Sequence, residues 1–306
     1  MAQLTASCWL AAVFLMLTSG SVESQETEPK PWVFNMEGGA AHQSTADLKD
    51  GGGDLSLDRW FVSGGVTYAW NPRNSVGFSV GGGRSDYVFD EQTAFGGGNP
   101  WGEIEDIRAS LNARFKISKT GTAILIPAVR WNGETGADTG DSRTLGLFAG
   151  VAWRINDDLT IGPGFGAFSK LEDGTRAFPI LIIDWDITER WNLSTGAGLA
   201  ASQGPGLTLS YQTSERWKLG LTGRYENLEF RLDDEGVAPG GIGRDQAFPL
   251  VFSGTFDANK MASFSIFTGV ELGGKLTLKD EFDQLVDESK YDPAAIFGAT
   301  ARLRFQ

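Results

Sequence analysis

Histidine and cysteine are almost missing from the 306-residue sequence, which holds one of each, His42 and Cys8. That excludes a disulfide framework or a thiolate metal site, and it leaves little for histidine-based acid–base chemistry. Basic residues are in the minority, 26 Lys and Arg against 39 Asp and Glu, for a formal charge of -13. A nucleic-acid partner is thereby disfavoured, because a phosphate backbone is met with patches of Lys and Arg. Beyond residue 25 there is no uninterrupted apolar run near the ~18 residues that a membrane-spanning helix needs. What the sequence has in quantity is Gly, at 41 residues, with 20 Phe and 10 Trp, a mixture suited to twisted strands joined by tight turns.

The one apolar run of note is at the start, Met1 to Thr18, followed by small and polar residues. It reads as a secretion signal over residues 1–24, cleaved after Ser24, with Val22 and Ser24 at the positions that prefer small side chains. No Lys or Arg precedes the run, and a buried helix or membrane anchor is the alternative. Cys8 lies inside this segment, so the mature chain would carry no cysteine; a lipid attachment there fails because no apolar stretch precedes it and Thr5 stands where Leu is expected. Residues 25–31 form a short leading segment, too short for a globular plug, and residues 32–306 form the main domain.

From Pro31 onward, stretches of about ten residues alternate apolar and polar, the period of a strand with two unlike faces. The clearest case places Ile107, Ala109, Leu111, Ala113, Phe115 and Ile117 on one side and Asp106, Arg108, Ser110, Asn112, Arg114 and Lys116 on the other. Alternation alone also suits a soluble sheet with one buried face. The connections decide between them. Short ones (71–74, 118–121, 156–158, 188–190, 214–216, 258–260) alternate without exception with longer, acidic or Gly-rich ones (near 44–56, 90–102, 134–142, 171–176, 201–206, 232–245, 280–293). That is the layout of a transmembrane antiparallel up-and-down β-barrel of the outer membrane, with periplasmic turns on one rim and extracellular loops on the other. The segments between them, 32–43, 57–70, 75–89, 103–117, 122–133, 143–155, 160–170, 177–187, 191–200, 207–213, 217–231, 246–257, 261–278 and 294–305, number about fourteen, within a range of about twelve to sixteen. Trp70, Phe115, Trp153, Trp185, Trp191, Trp217, Phe256 and Phe305 all fall on the apolar face beside a short turn or the C-terminus, where amphipathic rings would form a periplasmic girdle at headgroup level.

The ending Ala301-Arg-Leu-Arg-Phe305-Gln306 resembles the terminal strand of outer-membrane proteins, with Gln306 after the usual final Phe. The units Ile155 to Gly162, Ile187 to Gly196 and Thr213 to Gly220 are similar to those of an uncharacterised, porin-like family of Gram-negative outer-membrane barrels. The resemblance implies the fold, the outer membrane as location, surrounding lipid, and recognition of the last strand by the barrel-assembly machinery. It implies no defined activity.

The polar faces place Arg59, Arg108, Arg114, Arg130, Arg154, Lys218, Arg224, Arg302 and Arg304 inside, against Asp106, Asp184, Asp186, Glu226 and Glu271. Such a mildly cationic wall either favours small anionic solutes in a pore or braces the barrel by pairing its charges. The excess acid lies in the long loops, where divalent cations are candidate partners, but no loop has the spacing of a calcium motif, and a solvated surface accounts for it. No metal or cofactor site is expected. His42 with Ser44 is the one place to seek a hydrolase, and no third member of a triad accompanies them. Asp184 and Asp186 share a face as an acid/base pair would, but wall charge explains them more simply. Gly81, Gly82 and Gly83 read as a bend in a strand wall.

The expectation is therefore a barrel and no enzyme, acting as a passive channel or porin for small solutes. A non-conducting surface barrel working through its acidic loops is the main alternative, and a secreted soluble β-sandwich binder the second. A barrel of this size has a lumen unless a plug fills it, and loops 90–102, 232–245 and 280–293 are the segments able to fold inward.

Overall fold

The computed structural model describes residues 31–49, 52–172, 174–195 and 206–306; the expected signal segment and its cleavage site lie outside them. Sixteen strands follow in chain order: β1 (Trp32–Asp47), β2 (Asp54–Asn71), β3 (Asn74–Asp90), β4 (Glu103–Lys116), β5 (Gly121–Glu134), β6 (Arg143–Arg154), β7 (Leu159–Ser169), β8 (Thr175–Asp186), β9 (Trp191–Thr195), β10 (Gly206–Gln212), β11 (Trp217–Arg224), β12 (Glu226–Arg231), β13 (Ile242–Asp257), β14 (Ala262–Lys279), β15 (Leu285–Lys290) and β16 (Ala294–Phe305). They build a closed antiparallel barrel of 14 staves. The 16 reduce to 14 because β11 and β12 are two halves of one stave, broken at Tyr225, and β15 is a flap paired to the outer end of β14. Closure is made by β1 against β16, from Phe34 opposite Phe305 to Gln43 opposite Ile296.

The short turns close by one local device. Asn71 Oδ1 accepts the N–H of Arg73 at 3.1 Å, Ser118 Oγ that of Gly121 at 2.8 Å, Asn156 Oδ1 that of Leu159 at 2.7 Å, Thr188 Oγ1 that of Trp191 at 3.1 Å, Ser214 Oγ that of Trp217 at 3.2 Å and Asn259 Oδ1 that of Met261 at 2.7 Å. Asn, Ser and Thr at these places substitute a side-chain oxygen for a backbone carbonyl, which holds the chain in a reversal of a few residues. Gly81 to Gly83 behave otherwise than the sequence suggests. They lie in an unbroken ladder with no register shift, opposite Ser63 to Phe61 and Arg108 to Asp106. At Gly83 a side chain would bring its Cβ within 2.6 Å of the Trp60 carbonyl, so close strand approach, and not a bend, accounts for the glycine there.

The outer surface carries a belt of exposed apolar side chains, among them Trp60, Val62, Phe78, Ile107, Leu111, Leu125, Leu181, Phe252 and Ile266. On β2 the belt runs from Trp60 to Trp70, half exposed at 50% and 56%. Those ten residue-to-residue steps cover ~33 Å of strand, or ~25 Å of height at the tilt of such barrels, the thickness of the apolar band in outer membranes. Exposing this much apolar surface to water would be strongly unfavourable, so lipid is its natural solvent. Immediately outside it the outward positions become charged: His42 pairs with Asp58 at 2.7 Å, and Arg84 pairs with Asp86 at 2.6 Å and with Glu103.

At this boundary the apolar phase of the strands reverses. On β2 the apolar row is Trp60 and Val62, facing lipid, on one side of Arg59, and Leu57 and Leu55, fully buried, on the other. On β3 the row passes from Phe78 and Val80 outside to Tyr87 and Phe89 inside, and on β4 from Ile107 outside to Ile104 inside. Where lipid ends, the barrel acquires an internal core.

Candidate functional site

That core fills the outer half of the lumen. Leu55, Leu57, Tyr87, Phe89 and Ile104 project into it from the wall, Phe230 and Leu232 from β12 and its loop, and Leu276, Leu278 and Tyr291 from the β14 side. The loops between β3 and β4 and between β12 and β13 add Ala94, Phe95, Trp101 and Ala238. All three of the loops expected to be able to fold inward thus contribute. Trp101 is the hub, with the rings of Phe230, Tyr87, Phe89 and Phe95 centred 5.1, 5.8, 5.8 and 6.1 Å away. Two of the loops are tied together by Glu134, whose carboxylate accepts the N–H of Gly102 at 2.7 Å and of Asp233 at 3.3 Å. Burial among them pushes the Glu134 carboxyl above the ordinary carboxylate value.

β12 makes this plug possible. It pairs with β13 on one side, and beyond Tyr225 it leaves the line of the wall, so that Arg231 meets Gly133 of β5 across the lumen. Arg231 is fixed there by Glu172 at 2.6 Å and by the Gly240 carbonyl at 2.9 Å. Arg244 and Arg176 both pair with Glu229 on the same strand, the latter at 3.0 Å.

Beneath the plug lies a layer of paired charges. Arg59 donates to Glu226 at 3.1 Å and to Asp245 at 3.3 Å, and Arg224 contacts Glu226 at 2.9 Å. The hydroxyls of Tyr87 and Tyr291 donate to the two oxygens of Asp245 at 2.9 and 3.0 Å. Glu271 is buried in the same layer. Asp106 joins Arg130 and lies 3.9 Å from Arg108. Of the expected wall residues, Arg59, Asp106, Arg108, Arg130, Arg224, Glu226 and Glu271 are thus brought into this layer. Asp245 and the two tyrosines complete the cluster; the sequence reading placed Asp245 and Tyr291 in loops and Tyr87 in a strand, and marked none of them as a wall residue.

The inner half is different. A cavity of about 260 Å³ there is lined largely by hydroxyls, including Ser194, Thr208, Ser210, Ser253, Thr255 and Ser265, with Lys218 and Arg302. Arg302 pairs with Glu37 at 3.1 Å, while Asp184 and Asp186 share the Asn192 amide at 2.8 and 2.9 Å. Arg114, Arg154, Lys218 and Arg304 occupy inward register positions near the short-turn rim and form no salt bridge among the described residues. Around the same rim the expected aromatic residues Trp70, Phe115, Trp153, Trp185, Trp191, Trp217 and Phe305 are exposed on the outward face. Phe256 lies tilted against Trp217, with ring centroids 5.0 Å apart. Trp32, Tyr68 and Tyr211, which the sequence reading left out, extend this ring system, with Trp32 and Trp70 on either side of Tyr68 at 4.9 and 5.2 Å.

The chain is a closed, antiparallel, all-β barrel of 14 strands with an apolar belt on its outer face. No protein-family profile matches the chain, and no curated protein matches it in sequence. Solved structures similar to the barrel include an outer membrane channel from Pseudomonas putida F1, at 11% identity and TM-score 0.45, covering 93% of this chain and 100% of that one. A Pseudomonas aeruginosa FadL homologue is 12% identical over 89% of this chain and 90% of that one, with TM-score 0.47. The P. putida toluene transporter TodX is 10% identical over 91% of each chain, with TM-score 0.48.

Outside the lumen, the barrel's His42 faces outward against Asp58 and the ring of Phe297, 5.1 Å away. Ser44 does not join it, because its Oγ accepts the Ala295 N–H at 3.0 Å. Among the described residues no three His, Cys, Asp or Glu side chains converge as a metal site would require.

Proposed function

We propose that the chain is an outer-membrane channel for small solutes, closed at rest by its own loops. The observation that carries this reading is the division of one lumen into a hydroxyl-lined inner vestibule and an outer half packed with Trp101, Phe95, Phe230 and their neighbours. A barrel needed only for structure gains nothing from a solvated vestibule leading to loops. A plug built from loops can be displaced without breaking the wall. The cations of the inner mouth, Arg114, Arg154, Lys218 and Arg304, bias passage towards small anions, since fixed charge at a constriction sets local ion concentration.

Single-channel recording of the mature chain, residues 25–306, in a planar bilayer tests this. The wild-type protein should be mostly silent with rare openings, and Trp101→Ala combined with Phe230→Ala should give long-lived ones. Replacing Arg114 and Arg154 with Gln in that open variant should move the reversal potential under a salt gradient towards cation preference. Silence from both proteins, each shown to be folded and inserted, would favour the other reading that the plug supports, a non-conducting surface barrel acting through its acidic loops.

A further inference from the structure

The inner wall carries a second apolar arc below the plug. Besides the small cluster of Val251, Phe267 and Ile296, the mid-height inward positions on β5 to β8 are Ile126 and Ala128, Phe148, Phe168, and Phe178 and Ile180. These six side chains remain partly exposed and line a cavity of about 220 Å³. The outward neighbours on the same strands, such as Leu125, Leu147, Phe165 and Leu181, face lipid, so this arc is apolar on both faces. Neither strand pairing nor membrane insertion asks for that, because the outer face alone meets lipid.

The cavity is kept open by the way its rings lie. Phe178 is flat against the backbone of Gly166, where a Cβ would fall 2.4 Å from its Cζ, and it meets Phe168 edge-on at 5.5 Å. The charges at the cavity's outer end are answered within the protein, Arg130 by Asp106 and Arg176 by Glu229. The groove therefore offers apolar surface and aromatic edges, with no free charge from these two arginines.

We propose that it is a binding site for an uncharged apolar molecule the size of one substituted aromatic ring or a short alkyl chain. A cavity of roughly 150 Å³ lined by Leu, Ile and Phe takes up benzene; this one is larger and lined mainly by side chains of the same kind, with Thr144 and the ion-paired Arg130 at its edge. A charged solute is a poor occupant, since it would be desolvated there without a partner. The inference goes beyond the channel reading, because the groove binds whether or not the barrel conducts.

The test is bromobenzene, introduced into crystals of the refolded mature protein and located by the anomalous scattering of bromine. A peak is expected between Phe148, Phe168 and Phe178. Gly146→Leu should abolish it: a Cβ at Gly146 meets no atom closer than 3.9 Å, so the new side chain fits the wall and occupies the cavity. Peaks on the lipid-facing belt should persist in the variant as an internal control. Ile126→Asn, which keeps four side-chain heavy atoms but puts a polar amide into the groove, should also remove the groove peak. Belt peaks without a groove peak in the wild type would overturn the proposal, as would a groove peak unchanged in Gly146→Leu. Conductance measured on the same proteins reports separately on the channel.

Discussion

Arg59 is the residue on which the middle layer of the lumen depends. It reaches two carboxylates, Glu226 and the almost fully buried Asp245. Removing one partner of such a buried pair leaves uncompensated charge and costs about 3–5 kcal/mol, so Arg59→Met should lower stability by that order in urea titrations of the refolded barrel. The companion change of Glu226 and Asp245 to their amides should restore part of the loss. Trp101 offers a cleaner separation of packing from polarity, because its indole N–H has no hydrogen-bond partner. Truncation to Ala should cost about 3–5 kcal/mol of local stability and expose the 91–102 loop to proteases. Phe should cost far less, about 1 kcal/mol, since it keeps most of the ring contacts and sheds an unsatisfied donor at the expense of a small cavity. Both residues were visible in the sequence, Arg59 as an inward charge and Trp101 merely as part of a loop. Nothing local revealed that Trp101 is enclosed by Tyr87, Phe89, Phe95 and Phe230, which come from three separate segments.

Among the elements, the flap formed by β15 and the outer end of β14 invites a pH experiment. Its turn holds Asp283 in the left-handed region at φ 61°, a conformation that Asp and Asn accept better than other side chains. A hydrogen bond and ion pair from Lys279 hold the Asp283 carboxyl below its ordinary value. A depressed carboxylate contributes stability above its unfolded value, and the contribution is lost as pH falls through the lower, folded value. Proteolysis at the 280–284 turn by an acid-active protease should therefore accelerate as the pH drops below the usual carboxylate range. Asp283→Asn, which keeps the backbone preference but not the charge, should flatten that dependence. The strands themselves were largely legible, because period-2 alternation, turn residues and rim aromatics all give the same register. The departures lie where a strand serves two environments. β12 is continuous with β11 in the sequence, and its crossing to β5 is enforced by distant partners, Gly133 and Glu172. The uninterrupted apolar runs Ala123 to Val129 and Phe178 to Ile183 did carry a signal, since a strand apolar on both faces does not alternate.

For the whole molecule, the order of resistance to perturbation follows from what surrounds each part. The wall is closed by strand pairing and bathed by lipid on its outer face, whereas the plug is held by loop packing and a few buried charges. Hydrogen exchange should accordingly find amides of the 91–102 and 232–241 loops opening far more readily than those of β2 and β3 within the belt. Uniform protection across both would show that plug and wall open as one unit, and would count against gating by the loops. The sequence by itself determined the barrel, its strand number to within about two, the alternation of short turns with long loops, and which face of each strand is apolar, because alternation, turn chemistry and rim aromatics are local properties written every few residues. The reversal of apolar phase near Arg59 and Arg84 was present in the sequence too, as a trace of the plug. Only the tertiary structure decided that the outer lumen is filled, that Arg59, Glu226 and Asp245 form one buried cluster, and that the inner faces of β5 to β8 gather into one apolar groove. Each of these depends on which strands lie opposite one another across the closed barrel, and that is set by closure and by the inward course of β12, not by any local run of residues.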